Sequence, residues 1–216
     1  RKWHEVMGLG AFKLLKDRDL AVYFLTAFLF SIPLAAYYPY TSRHLQALGL
    51  ENVAAVMTLG QLSEVVAMLA MAEVMRRWRI KPMLLLAIGC GIVRFGLNVG
   101  AGIWGSAWWI IAGILLHGVC WTFFFESGHI LVDRVGKRGG KSQAQALLNL
   151  AQGGLGGVVG MLVVGHLYNR IVLATGGGWA CYWLILTAMC LACGILFAVG
   201  YRGVSAQYQR DHERGS

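Results

Sequence analysis

Gln61 and Glu64 stand three residues apart in the stretch TLGQLSEVVAMLAM, Thr58 to Met71, inside a long apolar run. On a helix this spacing puts an amide and a carboxylate on one face. An amide that both donates and accepts, beside a group that takes and releases a proton, can hold a solute or serve as a proton site. An unpaired ionised group in lipid costs several kcal/mol. Glu64 therefore calls for an offsetting partner, and the plain alternative is a buried structural hydrogen bond.

A second polar set lies in HGVCWTFFFESGHILVDR. At the rise of an α-helix, Thr122 sits at about the depth of Glu64, and Glu126 follows about 6 Å further along the same face. His129 comes one turn later, and His117 and Trp121 share a face at a spacing of four. Two acids on two helices near mid-membrane are hard to explain by packing alone. Arg94 is the deep cation, roughly 20 Å from the basic side of the bundle. It is placed to neutralise Glu64 or Glu126, and a structural salt bridge is the plain reading of it. Glu73 reads as interfacial, and His44 and His166 carry no specific signal.

The elements that hold these residues follow from composition. The chain has 216 residues, 57% of them hydrophobic and 13% charged, where soluble domains carry about 25% charge. Runs of ~20 residues nearly free of charge have the length of a membrane-crossing helix. They lack the two-residue alternation of barrel strands. The expected fold is an all-α polytopic membrane helix bundle with spans at about 19–41, 52–75, 82–103, 107–131, 143–167 and 179–201. Residues 1–18 and 202–216 lie outside the bundle on either end.

The net charge of +9 would suggest nucleic acid if the basic residues shared one face. They lie instead in the links between apolar runs. Of the 19 lysines and arginines, only Arg43 and Arg170 fall on one side and Arg94 within a span; the rest share the other side. By the positive-inside rule both termini are expected in the cytoplasm. Tyr37, Tyr38, Tyr40, Trp104, Trp108, Trp109, Tyr168 and Trp179 mark the outer ends, and Trp78 and Tyr201 the inner ends, as an interfacial belt.

Pro33 and Pro39 remove helix donors from the first span and favour kinks. The glycines between Gly153 and Gly165 permit close helix packing in the fifth. Such helices also suit bundles that rock against each other. The five cysteines all lie in apolar runs and read as small packing residues, Cys190 and Cys193 included. No metal and no cofactor is called for. There is no H-E-x-x-H and no nucleophile–base pair near a membrane surface, so an enzyme is not expected.

Taken in order, IPLAAYYPY, TLGQLSEVVAMLAM, RRWRIKPMLL, RFGLNVGAG, LHGVCWTFFFESGHILVD and SQAQALLNLAQGGLGG resemble the C-terminal half of a nucleoside:proton symporter of the major facilitator superfamily. The resemblance covers nearly the whole chain. It implies a twelve-helix transporter of which this chain is the C-terminal six-helix half. Residues 1–18 would then be a remnant of the cytoplasmic central loop, preceded by a missing N-terminal six-helix half. The chain begins at Arg1, which fits residues preceding it.

The resemblance further implies that the first, second, fourth and fifth spans line a cavity, with the third and sixth outside it. Gln61 and Glu64 match the glutamine and glutamate with which the family holds substrate. Family members often carry aspartate where Thr122 stands, and a polar pair on the first span where Ala35 and Tyr38 stand. Glu126 occupies a place that is usually apolar, as though the carboxylate had moved one turn along. The implied partners are a small solute, protons and the lipid bilayer of a bacterial inner membrane. Trp121, Tyr38 and Phe125 would stack on the solute, Gln61, Glu64 and Thr122 would bind its polar groups, and Glu64 or Glu126 would take the coupled proton. A sugar or other hydroxylated solute suits the same side chains. A non-transporting scaffold or sensor would have no central cavity and no solute-dependent proton movement.

Overall fold

The computed structural model describes residues 15–135 and 141–203. Arg1, Lys2, Lys13, Lys137, Arg138, Arg210 and Arg214 lie outside them. So do most of the two terminal segments. Among the described residues five helices are long and apolar enough to cross a membrane, and one bent pair makes a sixth. They are α1 (Arg18–Ala47), α2 (Val53–Arg77), α3 (Ile80–Trp104), α4 (Ala107–Leu115 and His117–Asp133), α5 (Lys141–Leu173) and α6 (Trp179–Gly200).

The helices start and stop for local reasons. The Asp17 carboxylate caps α1, accepting from the backbone N–H groups of Asp19 (2.9 Å) and Leu20 (3.1 Å), two donors that a helix start leaves without intrahelical partners. Gly105 ends α3 in the left-handed region at φ 65°, where a glycine meets no Cβ penalty. Near Pro39 the expectation of a span ending at 41 is corrected. The chain widens into a π-helical turn at Tyr37–Thr41 and continues as helix to Ala47. A wider turn absorbs the missing proline N–H while Tyr40 N–H still donates to Ala36 O at 3.0 Å. α5 likewise runs past 167 through a π-helical turn at Asn169–Leu173.

The fourth span departs most from expectation. In place of one straight helix over 107–131, its two parts meet at a 43° bend. At the joint Leu116 N–H reaches Gly113 O at 3.2 Å. That three-residue bond tightens the turn and redirects the axis.

α1 is the centre of the bundle. Most of its membrane-crossing stretch is buried, whereas most of that of α2 is exposed. It packs on α5 and α6, α6 packs along α3, and the second part of α4 packs on both α3 and α2. Trp183, Tyr182, Phe95, Phe30 and Phe124 are fully buried at these junctions. α2 instead presents Leu62, Val65, Val66, Met68 and Leu69 outward, surface suited to lipid or to another apolar helix bundle.

At the His44 end α1 is clasped to α6. The Trp183 indole N–H donates to His44 Nδ1 at 3.0 Å, and His44 stacks on Trp179 with centroids 4.4 Å apart. His44, which gave no signal in the sequence, is 1% exposed. Replacing it with leucine strands a buried indole donor, and such a loss costs about 1–3 kcal/mol. The expected result is a lower unfolding temperature for His44→Leu in detergent, with Trp183→Phe in the same background restoring part of it. At the other end Glu73 is exposed and pairs with Arg76 and Arg77, in keeping with an interfacial role.

Candidate functional site

The bend in α4 delivers His117 to the place where three helices meet. His117 is 2% exposed. Its Nε2 lies 2.8 Å from Oε1 of Glu64 on α2, close contact without full hydrogen-bond alignment. Its Nδ1 lies 2.5 Å from Nη1 of Arg94 on α3. Glu64, His117 and Arg94 thus form a continuous chain across α2, α4 and α3.

The neighbours hold this chain in place. Tyr37 of α1 stacks on the His117 ring, centroids 3.9 Å apart and planes 18° from parallel. The Arg94 guanidinium lies 4.7 Å from the ring centroids of both Tyr37 and Phe95, so two π faces help to compensate a cation that is 1% exposed. Gly118 brings the backbones of α4 and α2 together. A Cβ there would stand 2.1 Å from the carbonyl of Ser63. The approach lets Gly118 N–H donate to Ser63 Oγ at 2.8 Å, while the Ser63 hydroxyl donates to Gly60 O at 2.7 Å. The residue before Glu64 is therefore bonded to the residue after His117.

His117 forms part of the wall of a cavity of about 410 Å³. α1 contributes Ser31, Tyr37 and Tyr38; α4 contributes Trp121, Phe125, Glu126 and His129; α5 contributes Asn149, Gln152 and Gly153. The chemistry is divided. Around His117 the wall is aromatic, with Trp121 and Phe125 centroids 4.5 Å apart. Toward His129 it is polar, with a carboxylate, two amides and an imidazole. Two π-helical turns, Thr122–Glu126 on α4 and Leu150–Gly154 on α5, carry residues of the wall. π-helical turns recur at functional sites because they redirect side chains off the α-helical stripe.

Each residue expected from the sequence can now be placed. Tyr38, Trp121, Phe125 and Glu126 line the cavity. Glu64 reaches it through His117, and its side chain is 21% exposed, so it is not sealed in apolar packing. Gln61 is exposed on α2 and is not part of the cavity wall. Thr122 is fully buried with no partner for its hydroxyl, off the cavity wall. Arg94 does not contact either acid directly; His117 stands between it and Glu64. Within this chain α1, α4 and α5 line the cavity, and α2, α3 and α6 supply no lining residue. Tyr37, expected in the interfacial belt, is instead buried against His117, and His117 had been given no role of its own. The spacing of His117 and Trp121 on one face was the available signal.

Comparison with known proteins agrees with this architecture. The sequence model of the "Nucleoside H+ symporter" family matches residues 1–206. The YegT protein of Escherichia coli (strain K12) is 32% identical over 209 residues, spanning 91% of this chain and 48% of that protein. The nucleoside permease NupG of the same strain is 21% identical over 213 residues, spanning 94% of this chain and 51% of NupG. The crystal structure of a D323A mutant of the nucleoside transporter NupG superposes with a TM-score of 0.81 at 20% identity, covering 94% of this chain and 53% of that one. The chain thus spans about half the length of the curated relatives it matches. It is an all-helical, multi-pass membrane chain of a transporter family rather than an enzyme, and it belongs to the nucleoside H+ symporter family of the major facilitator superfamily.

Proposed function

We propose that this chain is the C-terminal half of a proton-coupled nucleoside transporter that works by alternating access, in a bacterial inner membrane with both of its ends in the cytoplasm. The observation that carries the reading is the ionisable chain Glu64–His117–Arg94, whose middle member His117 lines an aromatic-walled cavity. An isolated acid at this depth would be costly; one beside an imidazole and a solute cavity has a use. NupG, one of the relatives, is a nucleoside permease by name.

In this reading Trp121, Phe125 and Tyr38 stack on the base or sugar face. Gln61 and Glu64 bind polar groups from the α2 side, where an N-terminal six-helix half would close the cavity. Thr122 supports the turn from beneath. Glu64 is the first candidate for the coupled proton and Glu126 the second, with Arg94 as charge partner. The exposed apolar face of α2 suits contact with that other half or with lipid. Rocking of the two halves would open the cavity to each side in turn.

Sugars are the alternative solute class, favoured by the placement of Glu126 on the cavity wall and Thr122 off it. The test is uptake by the full-length protein in proteoliposomes, comparing purine nucleosides, pyrimidine nucleosides and hexoses with and without an imposed proton gradient. Gradient-dependent accumulation of a nucleoside is expected. Accumulation of hexoses alone would replace the solute class, and no uptake of any solute would overturn the transport reading.

A further inference from the structure

Arg94 carries only donors, since its guanidinium has no acceptor and stays charged in proteins. His117 Nδ1 lies 2.5 Å from Arg94 Nη1, so Nδ1 must be the acceptor, and the ring proton sits on Nε2, the nitrogen 2.8 Å from Glu64. A second ring proton on Nδ1 would set two donors against each other within a buried site. We infer that Arg94 is a positioning residue that locks His117 in its neutral Nε2–H form, so that His117 passes polarisation to Glu64 and does not itself carry the coupled proton.

The inference rests on the transport reading above and goes further, because it excludes His117, in contact with both charged groups, as the proton carrier. The charged and titratable groups around His117 fit it. Arg94 approaches from α3 and Glu64 from α2; Tyr37 and Tyr38 approach from α1, and Tyr37 stacks on the ring and leaves both nitrogens free. Glu126, on α4 itself, shares the cavity wall with His117. The direction of the chain is fixed by the arginine. Its donor polarises the imidazole, which makes Nε2–H a stronger donor toward an ionised Glu64. When Glu64 takes up a proton that acceptor weakens, and the carboxyl is free to turn toward solute.

Glutamine can reproduce both roles, accepting from Arg94 with its oxygen and donating toward Glu64 with its nitrogen, yet it cannot titrate. Full-length His117→Gln in proteoliposomes is therefore expected to keep solute-driven proton uptake at the wild-type proton-to-solute ratio, with a rate within about fivefold. His117→Leu is expected to lose at least about tenfold, as buried charge-assisted hydrogen bonds command effects of that size. Loss of proton uptake in His117→Gln with solute exchange retained would show that His117 titrates and would overturn the inference.

A measurement on the wild-type protein avoids dependence on any variant's folding. Nitrogen NMR of histidine-labelled protein, with the His117 signal assigned by its loss in His117→Gln, should show a protonated Nε2 and an unprotonated Nδ1 between pH 5 and 8. Arg94→Lys should preserve this pattern and Arg94→Met should not. A doubly protonated ring in the wild type would equally refute the inference. Absence of solute-driven proton uptake in the wild type would instead strike the transport reading, with the NMR result left to decide the tautomer.

Discussion

Glu64→Gln is expected to abolish proton-driven accumulation while solute exchange without a gradient stays measurable. Glutamine keeps the length of glutamate and can still bond with His117, so the packing of α2 against α4 survives. It removes the group in the Glu64–His117–Arg94 chain assigned to lose and regain a proton, since Arg94 stays charged and His117 is inferred to be held neutral. A coupled transporter that cannot load its proton can still rock with solute bound, so exchange across equal concentrations persists. Accumulation against a gradient should fall at least about a hundredfold, more than the loss of a typical hydrogen bond explains. Radiolabelled uptake and counterflow in the same proteoliposomes separate the two. Equal loss of both would point to a binding or folding role for Glu64 alone.

The second large effect is expected from Gly118→Val. The added Cβ would stand 2.1 Å from the Ser63 carbonyl and 2.4 Å from Glu64 N. Both are backbone atoms and cannot swing aside, so α2 must move as a body. The shift breaks the Gly118–Ser63 hydrogen bond and draws Glu64 away from His117. Overpacking alone costs about 1–3 kcal/mol, occasionally more, and the broken contact adds to it. Gly96→Ala on α3 is the control, because a Cβ there meets nothing within 4 Å. Thermal unfolding in detergent should show a clear drop for Gly118→Val and little change for Gly96→Ala. Transport should be lost in the former and kept in the latter.

Much of this was legible because the bilayer makes polar residues conspicuous. Glu64 stood out by cost alone, and the basic residues between spans marked the helix ends. Tyr38, Trp121 and Phe125 were expected at the solute site from the resemblance and Glu126 from its depth on the fourth span, and the structure brings all four to one cavity. Thr122 was misplaced because depth and face were counted on a straight helix. The bend at Leu116 and the π-helical turn at Thr122–Glu126 rotate the segment, burying Thr122 and turning Glu126 to the cavity.

His117 was missed for a different reason. A lone histidine four residues before a tryptophan looks the same in sequence whether it fills a core or bridges charges. Its partners come from α2 and α3, 53 and 23 residues away in the chain, and only the close approach at Gly118 brings the first of them within reach. Arg94 was recognised as a charge partner, but the imidazole between it and the acid carried no one-dimensional signal. The aromatic sandwich of Tyr37 and Phe95 on Arg94 is equally non-local.

Binding of a nucleoside to the full-length protein by calorimetry, compared between wild type and a Trp121→Ala, Glu64→Gln double variant of unchanged unfolding temperature, tests most directly whether the deep acid borders a solute cavity. At least about thirtyfold weaker binding in the double variant is predicted, from the loss of an aromatic platform and a charge-assisted hydrogen bond together. Unchanged affinity in a variant that remains folded would contradict it.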